Sequence, residues 1–144
     1  MPSACLTVNG IGRKSEVFPR AKAAPQYHPP MPLLQIQASS AAPAAASLLK
    51  ALSAELATQL KKPEQYVMVS FQPLPALLFG GTSEPACFAV LKNIGTFTPS
   101  QTRALSAVLC KHLSQGLGVA PGRIYLEFVN AEGHLWGHDG DTFA

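Results

Sequence analysis

A chain of 144 residues, 47% hydrophobic and 13% charged, is long enough and apolar enough to bury one core of ordinary domain size. Its net charge of +3 is unevenly placed: residues 1–30 hold Arg13, Lys14, Arg20 and Lys22 against Glu16, while residues 31–144 hold seven residues of each sign. A body with no basic excess lacks the electrostatic footprint of a nucleic-acid binder, and no apolar run nears the roughly 18 to 20 residues that cross a bilayer, so neither nucleic acid nor membrane is expected as a partner.

Residues 1–30 mix Pro, Ala, Gly and basic residues with no useful strand or helix period, and read as a disordered leader ahead of a single domain at 31–144. Two origins stay open for it. It has the basic, acid-poor composition of a transit-like peptide for organelle import, and equally the arbitrary composition produced by a mispredicted upstream start, with translation truly beginning at the "MP" of Met31 and Pro32. It lacks the continuous apolar segment of a secretory signal, so the expected location is cytoplasmic, or extracellular by a non-classical route. Cys5, Cys87 and Cys110 are odd in number and widely spaced, which suits free thiols in a reducing compartment.

"PLLQIQA" (32–38) alternates as a strand does, and Pro43 opens an alanine-rich segment in which Leu49, Leu52, Leu56 and Leu60 recur at helical spacing up to Pro63. "YVMVSFQP" (66–73) is rich in β-branched and aromatic residues and predicts a second strand. After the loop "FGGTSEP" (79–85), "ACFAVLKNIG" (86–95) predicts a third. Thr98 as N-cap, Pro99 in the first turn and Gln101 at the capping-box position open a second helix striped by Leu105, Val108, Leu109, Leu113 and Leu117 and ended by Gly116 and Gly118. "RIYLEFVN" (123–130) is a fourth strand, followed by a turn-rich tail with isolated aromatics.

The order is α+β: two βαβ units whose crossover helices let flanking strands run parallel in one four-stranded sheet, with both helices on one face. The other face, expected to be apolar, calls for cover, and association with copies of the same chain supplies it. His134, His138, Asp139 and Asp141 fall within eight residues, but their spacing matches no metal template and the surrounding glycines favour a turn; neither metal nor cofactor is expected.

Several stretches in order carry a resemblance over 32–144: the "MP" start, "KPEQYVMV" (62–69), "FGGTSEP" (79–85), "NIG" (93–95), "RIYLEF" (123–128) and the terminal "TFA". The body resembles the macrophage migration inhibitory factor family of the tautomerase superfamily. That resemblance implies a homotrimer whose sheets wrap a central barrel, with active sites at subunit interfaces, and a keto–enol tautomerase acting on phenylpyruvate-like α-keto acids, with dopachrome isomerisation as a second activity.

The resemblance makes Pro32 the catalytic base, through the secondary amine it gains once Met31 is removed. Such an amine works near pH 7 only if an apolar pocket and a nearby cation disfavour its charged form. Lys62 matches the lysine that pairs with the substrate carboxylate, and Ile94 the residue whose backbone N–H meets the same group. Tyr125 matches the tyrosine supplied by a neighbouring subunit, while Leu33, Tyr66, Trp136, His138 and Phe143 fall where the family lines its pocket. Taken alone, Lys62 would be a solvated turn lysine, Ile94 a strand-end core residue, and the aromatics packing or subunit contacts.

Three departures stand out. Glu127 replaces a neutral amide in the pocket and would repel an acidic substrate unless Lys62 compensates. His138 replaces a tryptophan, with Trp136 two residues earlier. The family's CxxC is represented by Ala86, Cys87, Phe88 and Ala89, so no dithiol cycle is available there; Cys87 and Cys110 are expected to act as small buried hydrophobes. A function of another class also fits the resemblance, a secreted cytokine-like protein whose trimer surface binds a receptor, with or without tautomerase activity; a third reading keeps the fold as a scaffold with neither role.

Overall fold

The computed structural model describes residues 31–41 and 44–144. The leader assigned to residues 1–30, and Pro43 as the opening of the first helix, lie outside the described residues. The elements run β1 (Leu33–Ala38), α1 (Ala45–Leu60), β2 (Met68–Pro73), β3 (Cys87–Ile94), α2 (Pro99–Leu117), β4 (Ile124–Ala131), and a small hairpin of β5 (Gly137–His138) and β6 (Asp141–Thr142). The four long strands form one sheet in the order β2-β1-β3-β4, parallel within each βαβ unit and antiparallel where β1 meets β3.

Alternation along the strands decides what is buried. Leu34, Ile36 and Ala38 of β1, with Cys87, Ala89 and Leu91 of β3, face the helices and form the core with Leu48, Leu52 and Leu56 of α1 and Leu105, Leu109, Leu113 and Leu117 of α2. The α1 stripe is therefore centred one residue earlier than the spacing from Leu49 predicts: Leu48 is buried, and Leu49 and Leu60 only flank the core. Val108 is half-buried beside the α2 stripe.

α2 begins as expected. The Thr98 hydroxyl accepts from the Gln101 N–H at 3.3 Å, and the Gln101 side chain accepts from the Thr98 N–H at 2.9 Å. Its end differs from expectation, because only Gly118 terminates it, in a left-handed conformation at φ 66°. Gly116 lies inside the helix, where a Cβ would sit 2.6 Å from Cδ1 of Leu48, so this glycine lets α1 and α2 approach closely.

The start of β2 moved for a local reason. It lies at Met68 rather than residue 66, because Glu64–Tyr66 form a 3-10 turn. The turn-rich tail holds a further 3-10 turn (Gly133–Leu135) and the β5–β6 hairpin. The sheet face away from the helices is not the apolar surface expected: Gln35, Gln37, Ser70 and Gln72 stand on it beside Phe88 and Val90, and Gln37 donates to Gln72 across the strands at 3.1 Å. Such a face suits a wet contact better than a dry one.

Candidate active site

Pro32 immediately precedes β1 and is buried to less than 2% exposure. Its carbonyl accepts from the Met68 N–H at 3.0 Å, which ties it to the start of β2. Lys62 is placed by the end of α1. Lys61 takes a left-handed conformation (φ 53°, ψ 46°), while the Lys61 and Lys62 N–H groups donate back to the carbonyls of Thr58 at 3.3 Å and Ala57 at 2.9 Å. A left-handed lysine costs about 1 kcal/mol relative to glycine, and the double hydrogen bond offsets it. The chain then turns so that half-buried Lys62 lines a cleft of about 310 Å³ with Leu60, Asn93, Ile94, Gly95, Thr96, Phe97 and Gln101. Lys62 joins no ion pair among the described residues.

Ile94 ends β3. The Gly95 N–H donates to the Ala131 carbonyl at 3.0 Å. Because N–H directions alternate along a strand, the Ile94 N–H points the other way, toward the start of β1 where Pro32 lies. Lys62, Ile94 and Pro32 thus gather at one end of the sheet. Leu33 and Tyr66, both half-buried, belong to the same end, one opening β1 and the other closing the 3-10 turn before β2.

Tyr125 and Glu127 do not join them within one chain. Tyr125 pairs with Phe88, and Phe88 with Gln37, five residues along β1 from Pro32, a separation of about 16 Å at 3.3 Å per residue. Tyr125 is 64% exposed, its ring lies 4.8 Å from that of Phe79, and it lines a separate cavity of about 390 Å³ with Leu77, Leu78 and Phe88. Exposed Glu127 stands two residues further along β4 on the same open face. At the C-terminus half-buried Trp136 follows the 3-10 turn, and the His138 ring stacks on Phe143 at 5.8 Å. The Phe143 N–H donates to the carbonyls of Gly133 and Trp136, at 3.2 and 3.1 Å.

The four acidic and histidine residues of the tail are engaged in shaping it. His134 faces Glu132 at 3.3 Å, Asp139 takes the left-handed turn position, and Asp141 accepts from the Thr142 N–H at 2.8 Å. The described residues contain no group of three or more His, Cys, Asp or Glu placed to share a metal ion, and no helix long and apolar enough to cross a membrane.

Burial pushes the Cys87 thiol up to about 12, with nearby Cys110 adding to the effect. Cys87 therefore behaves as the buried hydrophobe expected, whereas Cys110 is half-buried at the α2 surface.

Sequence reasoning missed Asn93, Phe97 and Gln101 in the Lys62 cleft, and Arg123, which anchors the 79–85 loop. Asn93 had a signal: it continues, as an amide, the alternation that buries Cys87, Ala89 and Leu91 of the same strand. Arg123 had none, because its partners, four backbone carbonyls and the Thr82 hydroxyl, belong to a loop some forty residues away.

Residues 31–144 match the family model described as macrophage migration inhibitory factor (MIF). A macrophage migration inhibitory factor homolog of Trichuris trichiura is 41% identical over 95 residues, 66% of this chain and 83% of the relative. Among solved structures, the homologue from Prochlorococcus marinus aligns with a TM-score of 0.75 at 44% identity, covering 78% of this chain and 99% of that one. The macrophage migration inhibitory factor of Trichinella spiralis aligns with a TM-score of 0.71 at 34% identity, over 76% and 98% of the two chains.

Proposed function

Given that the chain belongs to the macrophage migration inhibitory factor family, we propose that it is a keto–enol tautomerase of phenylpyruvate-like α-keto acids that uses the amine of Pro32 as general base. The observation that carries this reading is the gathering of Pro32, Lys62 and the Ile94 N–H at one end of the sheet. As an internal residue Pro32 has a tertiary amide nitrogen with no basic lone pair, so it works only in a chain that begins there. The family match begins at Met31, one residue before it, which supports a mature start at Pro32.

The Lys62 ammonium and the Ile94 N–H hold the substrate carboxylate, which brings the carbon beside the keto group to the Pro32 nitrogen. Neutral Pro32 removes a proton from that carbon, and the enol forms in a cleft walled by Leu60 and Phe97. The same nitrogen returns a proton in the reverse direction. Since Tyr125 lies about 16 Å from Pro32 along the strand direction and two strands across in its own chain, it serves the site of a neighbouring copy, and the working unit is a homotrimer. Glu127 travels on the same strand face into that neighbouring site. There its charge repels an acidic substrate, an effect that the Lys62 ammonium offsets.

The test combines mass spectrometry of the purified protein with turnover. A chain starting at Pro32 enolises phenylpyruvate, while one retaining Met31 does not. Pro32→Gly forms trimers by analytical ultracentrifugation yet loses turnover by about a hundredfold or more. Full activity in the chain that retains Met31 would overturn the assignment. A Pro32-start trimer with no turnover on any enolisable keto acid would leave receptor binding as the function.

A further inference from the structure

Asn93 is a buried polar residue, 8% exposed, in an otherwise apolar core. Its side-chain oxygen is buried with no hydrogen-bond partner among the described residues. An orphaned buried carbonyl costs about 1–3 kcal/mol, so folds rarely keep one.

Its neighbour explains it. β1 pairs with β3 in a register that sets Leu33 opposite Lys92. One step further sets Pro32 opposite Asn93, their side chains on the helix-facing side with Cβ atoms about 4.5–5.5 Å apart. The Pro32 carbonyl faces β2, where it accepts from Met68. In a strand the N–H lies on the same side as the C=O, and in proline Cδ takes that place. The position that Met31 occupies on the nitrogen therefore lies away from β2, on the side of β3 and Asn93. While Met31 is attached, the nitrogen has no hydrogen to give.

Building on the reading of Pro32 as base, we propose that Asn93 is a positioning residue for the mature Pro32 amine, its side-chain oxygen accepting one N–H of that nitrogen. A neutral secondary amine has one N–H and one lone pair. With the N–H held by Asn93, the lone pair faces the cleft shared by Lys62 and Ile94. The substrate proton adds to the lone pair and leaves from the same position, while the N–H on Asn93 is never exchanged into product. An acceptor carbonyl bonds an ammonium more strongly than a neutral amine, so Asn93 opposes the electrostatic effect of Lys62 on the amine. The other charged or titratable groups at the Pro32 end of the surrounding elements are Lys61, Glu64 and Tyr66 between α1 and β2, Lys92 on the opposite face of β3, Arg103 early in α2, and Glu132 beyond β4; β2 carries none, and Lys50, Glu55, Cys87, Cys110, Lys111 and His112 lie further along α1, β3 and α2. All of these are unchanged in the comparison below.

The experiment uses the Pro32-start trimer labelled with ¹⁵N-proline, titrated by NMR and assayed with phenylpyruvate, as the parent and as Asn93→Leu and Asn93→Asp. The expected result is a titration midpoint of the Pro32 nitrogen moved to lower pH in Asn93→Leu and to higher pH in Asn93→Asp. In Asn93→Leu, kcat falls roughly tenfold or more, with KM within about twofold. A Pro32 midpoint identical in parent and Asn93→Leu overturns the proposal, as does a rise in KM alone, which would make Asn93 a substrate contact.

Should Asn93→Leu fail to form trimers, the parent still decides. Its Asn93 side-chain carbonyl ¹³C shift must titrate together with the Pro32 nitrogen, and a flat ¹³C response overturns the proposal. If the parent lacks turnover but the midpoints differ as stated, the tautomerase reading fails and the positioning contact stands.

Discussion

Replacing Arg123 by lysine keeps the charge and removes the fork that holds the 79–85 loop. The guanidinium donates from Nε to the Pro85 carbonyl at 2.9 Å, and from one terminal nitrogen to the Thr82 hydroxyl at 2.8 Å and the Phe79 carbonyl at 3.2 Å. The other terminal nitrogen donates to the carbonyls of Glu84 at 2.8 Å and Thr82 at 3.3 Å. It also lies over the Phe79 ring, 5.1 Å from its centroid. A lysine ammonium is a single point that can reach two of these oxygens at most, so about three bonds are lost. At roughly 0.5–1.5 kcal/mol each, and with water able to reach part of this half-exposed site, the expected loss is about 2 kcal/mol. That is about thirtyfold in the folding equilibrium. Equilibrium urea unfolding followed by circular dichroism, with parent and variant at one protein concentration because assembly is linked to folding, reads it as a lower midpoint at unchanged slope. Hydrogen exchange at the Phe79–Thr82 bridge should accelerate in parallel. A variant within about 0.5 kcal/mol of the parent, with unchanged exchange in the loop, would refute the reasoning by showing that water serves those carbonyls as well as the guanidinium does.

Two further outcomes follow from the packing. Gly116→Ala gains about 1 kcal/mol in helix propensity but forces a methyl group to within 2.6 Å of Leu48, a clash worth about 1–3 kcal/mol; a net loss of roughly 1 kcal/mol is expected in thermal or urea unfolding. The double variant with Leu48→Ala should lose less than the sum of the two single changes. For Cys87, the folded thiol holds its proton up to about 12, whereas an unfolded one releases it near 9.0. The folded state therefore binds the proton more tightly, and its contribution to stability, complete below pH 9, declines as pH rises from about 9 toward 12. Cys87→Ala should flatten that decline in urea midpoints, and at pH 8 a thiol reagent should label Cys110 well before Cys87 in a Pro32-start chain.

Much of the fold is legible along the chain because local physics writes it there. The capping box at Thr98 and Gln101, the period-2 alternation of "LLQIQA" and the leucine stripe of α2 each report a neighbour two, three or four residues away, and the structure keeps all three. The phase of α1 is not legible in the same way: leucines at both 48 and 49 satisfy helical spacing, and only packing against α2 at Gly116 decides which points inward. The mixed polarity of the open sheet face was likewise hidden, since it depends on which residues of four separate strands share one side.

The candidate site divides in the same way. Through its resemblance to the family, the sequence singled out Pro32, Lys62 and Ile94 as the residues to ask about, and by itself it showed that no CxxC is present at Cys87. Only the tertiary structure decided that these three meet at one end of the sheet and that Tyr125 belongs to the other. It also decided that Asn93 stands opposite Pro32 with an oxygen lacking a donor. The physical reason is that strand register, set by side chains packing on both sheet faces, converts distances in sequence into neighbours in space, and no local pattern encodes it.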